Sequence, residues 1–304
     1  IKVTSIIDVD SAVMLELGDL FNQETFSESK QKIKKQYGDR GYCNAEFNSK
    51  AWVDTQLHKA YLLFEATPNE QCTFGAVNIE TTPNIDGKLT ASMLRVHEGD
   101  PYSISSIQQS YEALYAQEAI ARVTINDNDR NGSIVPITVG IEETEKPIRF
   151  TAGVGFSSDQ GFGALAGIKH RNFFGDLKTL SLDTRYSQIK HEASGILSVP
   201  LQNRASIHGE VGYVDQLFDG YRSKSVFEKL TLKYQDIPSS ALVGLLFNEE
   251  TTYDSVNTED FPNNHLFILS PLGEINIDTI DNPLDPKKGY WVNAKAKRSL
   301  LNAY

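Results

Sequence analysis

The sequence has no run approaching the roughly 18 consecutive apolar residues that a membrane-spanning helix needs. Its best stretch, residues 241–247, is short and interrupted by Gly244. A helical membrane protein is thereby excluded. Basic residues are in deficit, 29 Lys and Arg against 40 Asp and Glu, which leaves no cationic stripe for phosphate neutralisation and sets nucleic acid aside as a partner. Sulfur is scarce as well. Two Cys and two Met stand against 13 Tyr and 15 Phe, a balance that leans towards strands. No basic segment followed by an apolar one precedes Val3, so a signal peptide is expected either to have been removed or to lie outside this sequence.

Motifs for chemistry are also wanting. The six histidines, His58, His97, His170, His191, His208 and His265, form no H-E-x-x-H pair and have no Cys at zinc spacing. Gly161, Gly163 and Gly167 are not followed by G-K-[ST], and no G-x-S-x-G elbow occurs. Asp127-Asn128-Asp129-Arg130-Asn131-Gly132 opens like a calcium loop, but Thr138 occupies the twelfth position, where a bidentate Glu is required. A polar turn between strands accounts for it better. Nothing in the pattern supports catalysis, a metal or a cofactor.

What is present is a globular composition, 40% apolar and 23% charged, with length for about two domains. Charge divides unevenly: residues 1–146 carry 13 basic and 22 acidic side chains, residues 147–304 carry 16 and 18. Amphipathic helical segments occur only before Glu145-Lys146-Pro147, which marks a boundary. Before it, Glu16-Leu17-Gly18-Asp19-Leu20-Phe21 recurs as His97-Glu98-Gly99-Asp100-Pro101-Tyr102. Each copy leads into a helix. In the second, Ser103 is placed as N-cap, and Ile104, Ile107, Tyr111, Leu114 and Tyr115 fall on one helical face. Phe26, Ile33 and Tyr37 play that part in the first. Strands are expected at 2–9, 44–49 and 59–66, then again at 74–80, 121–126 and 134–142. The order is β-α-α-β-β, twice, at about 80 residues per unit. Domains are therefore placed at 1–70, 71–146 and 147–304.

After Pro147 the period is two. Ile148, Phe150, Ala152, Val154 and Phe156 alternate with Arg149, Thr151, Gly153, Gly155 and Ser157. Residues 180–187, 205–214, 230–235 and 290–297 read alike, joined by turns such as 172–176, Asp219-Gly220 and 285–289. With no helix between them, about nine strands are expected as an antiparallel meander. A soluble β-sandwich alternates too. Strands near ten residues, with an apolar face opposite one carrying Arg149, Asp183, Arg185, Lys229 and Lys233, favour a lipid-facing barrel.

Three stretches, Phe74-Gly75-Ala76-Val77-Asn78-Ile79, Glu98-Gly99-Asp100-Pro101-Tyr102 and Gly153-Val154-Gly155-Phe156-Ser157-Ser158-Asp159, resemble in order and spacing a known family. It is the TamA-like outer-membrane subunits of translocation and assembly modules, within the superfamily that joins POTRA domains to a transmembrane β-barrel. Gly41-Tyr42 before a strand is similar to a POTRA feature, and residues 281–290 resemble the family's D-x-P-x-x-P-x-x-G barrel turn. The likeness covers nearly the whole chain.

It implies α+β POTRA domains followed by an all-β antiparallel transmembrane barrel of sixteen strands, of which residues 148–304 supply about nine. A further N-terminal POTRA domain and the remaining strands are expected outside this sequence. The implied localisation is the bacterial outer membrane, with POTRA domains in the periplasm. The implied partners are unfolded outer-membrane protein or autotransporter clients, an inner-membrane-anchored TamB-like subunit, and outer-membrane lipid. In an oxidising periplasm Cys43 and Cys72, flanking a strand pair, are either bridged or two buried thiols; the free thiols are the favoured reading.

In the family the first barrel strand meets the last across a weak seam that opens towards lipid. The expected client-pairing edge is then Ile148, Arg149, Phe150, Thr151, Gly153, Gly155 and Phe156, acting by β-augmentation, with Gly153 and Gly155 weakening the strand. The edge of the second strand of each POTRA unit is expected to guide periplasmic clients or dock the partner subunit. The alternatives are a two-partner secretion transporter and a soluble periplasmic β-rich adaptor.

Overall fold

The computed structural model describes residues 1–236, 238–260, 262–280 and 286–303, of which 301–303 are described by backbone alone. The chain divides into two compact units. One comprises Ile1–Glu80, Leu94–Ala116 and Arg122–Glu142; the other comprises Thr81–Met93, Gln117–Ala121 and Glu143–Tyr304. The second sequence repeat is shared between them.

The first repeat runs β1 (Lys2–Thr4), a 3₁₀ turn (Asp10–Ala12), α1 (Gln23–Asp39), β2 (Glu46–Asp54) and β3 (Lys59–Thr67). Its sheet order is β1-β3-β2, with β1 parallel and β2 antiparallel to β3. Asn22 caps α1 by accepting the Glu24 N–H at 2.8 Å. Phe26, Ser29, Ile33 and Tyr37 are its buried stripe, spaced three or four residues apart as one helical face requires. They meet Leu62 and Phe64 of β3 together with Val9, Ala12 and Leu15. The Phe26 and Phe64 rings lie 5.1 Å apart, and Phe47 packs edge-on to Tyr37 at 5.4 Å. The buried Tyr37 hydroxyl shares a 2.8 Å hydrogen bond with Ser5 Oγ.

The second repeat follows as β4 (Thr73–Glu80), α2 (Gly87–Met93), α3 (Ile104–Tyr115), β5 (Ile120–Asn126) and β6 (Ile134–Glu143), with sheet order β4-β6-β5. Pro136 sits in the central strand β6, where a missing N–H would normally break a ladder. The parallel pairing with β4 is bulged between Phe74 and Val77 at that point. Gly75 allows the approach, since a Cβ there would stand 2.8 Å from Ile134 Cγ2 and 3.2 Å from Pro136 N. Ser103 caps α3 as expected, accepting from the Ser106 N–H. The expected face of α3 holds at Leu114, which is buried, and needs correction at Tyr111 and Tyr115, which are exposed while Ser110 is buried. These two tyrosines stack on each other at i, i+4, ring centroids 5.6 Å apart.

From Pro147 onward the described residues form an antiparallel meander of nine strands: β7 (Ile148–Ser157), β8 (Gly161–His170), β9 (Thr179–Ser187), β10 (Lys190–Pro200), β11 (Ala205–Phe218), β12 (Tyr221–Asp236), β13 (Ser239–Tyr253), β14 (His265–Asp278) and β15 (Trp291–Lys297). A short β16 (Leu301–Ala303) also pairs with β14. The register places Phe150, Ile168, Leu182, Gly195, Val211 and their neighbours on one face. That face is mainly apolar and open, with Phe150 75%, Val154 90% and Leu230 59% exposed, and is interrupted by Glu228 opposite Val211. The opposite face carries Arg149, Asp183, Arg185, Lys229 and Lys233, with ion pairs Lys229–Glu210 (3.5 Å) and Lys190–Glu192 (3.0 Å). Such a division of faces is that of a barrel wall. No helix among the described residues is long and apolar enough to cross a membrane.

Strands β11 to β14 exceed the expected ten residues, reaching 14 to 16. Their outer ends, Asp215-Gln216 against Ser223-Lys224 for example, are polar on both faces. Periodicity of apolar residues therefore could not reveal them.

Candidate functional site

Strand β7 is the end of the sheet. It pairs with β8 from Ile148↔His170 to Ser157↔Gly161 and, among the described residues, with nothing on its other side. All seven expected residues lie on it. Ile148, Phe150 and Phe156 share the apolar face; Arg149, Thr151, Gly153 and Gly155 share the other. The side of β7 away from β8 carries the row of N–H and C=O groups through which a further strand would pair.

The pairing that holds β7 weakens towards its far end. Gly155 faces Gly163, so no side chains meet across that rung. A Cβ at Gly155 would touch nothing within 4 Å, whereas one at Gly153 would meet Leu165 at 3.4 Å. Beyond the glycines, Phe156 and Phe162 close the hairpin with ring centroids 5.1 Å apart. At the near end Arg149 lies opposite Lys169, a like-charge rung. Glu118 relieves it by pairing with Lys169 at 2.7 Å.

The β8–β9 turn is anchored by residues the sequence did not single out. Phe174, Gly175, Asp176 and Leu177 all have positive φ, between 54° and 81°, a costly conformation for the three that bear a Cβ. It is held from outside. The Asp176 N–H donates to Asn84 O at 2.8 Å, and Asp176 Oδ1 accepts the Asp86 N–H at 3.1 Å. The Glu143 carboxylate joins the two segments, accepting from Asn172 Nδ2 (2.7 Å) and Asn84 Nδ2 (3.1 Å). Only the turn-forming composition of 172–176 was legible; no local signal links Glu143 to residues 29 and 59 positions away.

The second strands of the two repeats, β2 and β5, stand at the ends of their sheets among the described residues. Beside β2 a groove of about 250 Å³ is lined by Lys30, Lys34, Phe47 and Ser49. The Asp127–Gly132 segment is the β5–β6 turn. Its Asp127 carboxylate accepts from the Tyr102 hydroxyl (2.8 Å) and the Arg130 guanidinium (3.1 Å). Burial and the Asp127 hydrogen bond push the Tyr102 phenol well above its usual value. Of the expected 281–290 turn, residues 281–285 lie outside the described residues. Its base is closed by the Thr279 N–H to Tyr290 O bond at 2.9 Å.

Cys43 and Cys72 require a correction. They form a disulfide, with Cα atoms 5.8 Å apart. The antiparallel register pairs Glu46 with Thr67, and the Cys72 N–H donates to Gly41 O at 2.8 Å. The two flanking segments are therefore drawn together below the hairpin.

Comparison with known proteins agrees with this architecture. The POTRA family, described as surface antigen variable number repeat, matches residues 6–68. No curated protein matches the chain in sequence. Among solved structures, BamA from Haemophilus ducreyi lacking POTRA domains 1–3 aligns over 99% of this chain and 62% of its own, at 20% identity and a TM-score of 0.63. CdiB from Escherichia coli aligns over 96% and 56%, at 14% identity and 0.56. CdiB from Acinetobacter baumannii aligns over 94% and 56%, at 12% identity and 0.53. The chain thus spans about three-fifths of the length of the structures it matches. At these identities the likeness is one of fold, and that fold is POTRA repeats joined to an antiparallel β-barrel sheet.

Proposed function

We propose that the chain is part of an outer-membrane protein-insertion factor of the TamA-like kind. Residues 1–70 and 71–146 are periplasmic POTRA domains. Residues 147–304 are the first part of a barrel whose apolar face contacts outer-membrane lipid. Unfolded outer-membrane proteins or autotransporters pair with β7 by β-augmentation, through the backbone of Ile148 to Phe156. The edges of β2 and β5 receive clients in transit or an inner-membrane-anchored, TamB-like partner.

The observation that carries this reading is β7 itself, the first strand of the meander, whose pairing with β8 loses its cross-strand side chains where Gly155 faces Gly163, set in a sheet with one mainly apolar and one charged face. In hydrocarbon an open strand edge is costly, and a client strand removes that cost while becoming inserted. Cysteine crosslinking in the full-length protein tests it. Thr151 and Gly153 should trap a nascent outer-membrane protein, whereas Ser225 and Gly244, on interior strands, should not. Equal trapping at both pairs of sites, or none at Thr151 and Gly153, overturns the reading.

A second reading, export of a dedicated substrate through the lumen as in two-partner secretion, is favoured by the charged inner face around Arg185 and Lys229. It places crosslinks at those positions and not at Thr151.

A further inference from the structure

The two sequence repeats are joined by only five residues, Pro68-Asn69-Glu70-Gln71-Cys72, without secondary structure. A segment of that kind ordinarily serves as a hinge. Here it is fastened along its length to the loop between α1 and β2. Asn69 Nδ2 donates to Asn44 O (2.8 Å), Gln71 Nε2 to Arg40 O (3.2 Å) and the Cys72 N–H to Gly41 O (2.8 Å). Cys72 belongs to both repeats at once. Its carbonyl accepts from the Tyr102 N–H (3.0 Å) in the second, and its sulfur is bonded to Cys43 in the first.

Two groups of contacts flank this covalent link within the same compact unit. At the end of α1, Asp39 accepts from the Ser103 hydroxyl (3.0 Å), the Ser105 N–H (2.6 Å) and the Ser105 hydroxyl (2.7 Å), so it caps α3 from the neighbouring repeat. Ile104 lies so close to Gly38 that a Cβ there would clash with its side chain. Beside Cys43, the Arg130 guanidinium donates to Cys43 O, and Asn44 Nδ2 donates to Gly132 O (3.1 Å). Asp39 and Ser105 are held by long-range polar contacts that water can replace; the disulfide is not replaceable in this way.

We propose that the Cys43–Cys72 disulfide is a redox-sensitive clamp: oxidised, it makes the two repeats one rigid arm, and reduced, it turns residues 68–72 into a hinge. The chemistry is thiol–disulfide exchange. A dithiol attacks the sulfur of Cys43, the less buried of the two residues, forming a mixed disulfide, and Cys72 leaves as the thiolate. The second thiol of the dithiol then attacks its own sulfur in the mixed disulfide with Cys43, Cys43 leaves as the thiolate, and the dithiol, now a disulfide, has supplied two electrons and two protons. Nothing in this depends on what the barrel sheet does.

Double electron–electron resonance on the full-length protein tests the clamp, using genetically encoded spin labels at Lys50 on β2 and Gln109 on α3. The oxidised protein should give one narrow distance. Cys43→Ser/Cys72→Ser, or dithiothreitol, should broaden it about twofold, as a five-residue flexible linker allows. Asp39→Asn/Ser105→Ala with the disulfide intact should leave it narrow. Amide exchange in α1, β2 and β3 is followed in parallel and should stay protected in every variant. An unchanged width on reduction overturns the proposal. So does broadening by Asp39→Asn/Ser105→Ala alone, or broadening accompanied by lost protection in β2 and β3, which would make the bridge a staple of the hairpin.

Discussion

Single residues carry the tightest constraints. Gly75 lets β4 pass Pro136, and Gly75→Val would drive a branched side chain into Ile134 and the Pro136 backbone. The expected loss is about 1–3 kcal/mol, the usual cost of overpacking, measurable as a lower urea midpoint at unchanged m-value. Asp39 gives a pH dependence of defined sign. Burial raises its pKa, but hydrogen bonds from Lys35, Ser105 and Ser103 outweigh that and hold it below the usual carboxylate value. A depressed folded pKa contributes stability that is present above the unfolded value of about 4 and is lost as pH falls through the folded one. The contact between α1 and α3 should thus be unaffected from neutrality down to about pH 4 and weaken below it. Amide exchange of the Ser105 N–H, corrected for intrinsic rate, reads this directly; weakening between pH 7 and 5 would contradict it.

Among the elements, β7 and α3 teach opposite lessons. Every residue of β7 obeys period two, so its bounds and its faces could be read from the sequence alone. In α3 a correct period gave a partly wrong stripe: Leu114 is buried as expected, but Tyr111 and Tyr115 stack on each other at the surface and Ser110 is buried instead. The disulfide was legible only as a choice, since it depends on a register that pairs Glu46 with Thr67 and not on spacing. That β7 would be an edge followed from the meander, whereas its anchoring through Glu143 needed three-dimensional proximity. If the weakness of β7 matters to its role, Gly153→Val/Gly155→Val should stiffen it, since valine favours strands over glycine by up to about 1 kcal/mol per position. Slower amide exchange in β7 and several-fold less client crosslinking at Thr151 are expected; faster exchange would contradict the argument.

At the level of the whole molecule, acidity is concentrated in residues 1–146 and apolar exposure in the later sheet. A wall with lipid on one side predicts an asymmetric response to charge. Leu230→Arg on the apolar face should cost about 2–4 kcal/mol in refolding into liposomes. Lys233→Arg on the opposite face should stay within about 0.5 kcal/mol. Equal costs would contradict the assignment of faces. The left-handed turn at Phe174 to Leu177 has a practical corollary for anyone dissecting the protein. The groups that stabilise it, Asn84, Asp86 and Glu143, precede Pro147. A truncation starting at that proline keeps every strand of the meander yet discards the scaffold on which its second hairpin is built, so the place to cut is upstream of Thr81.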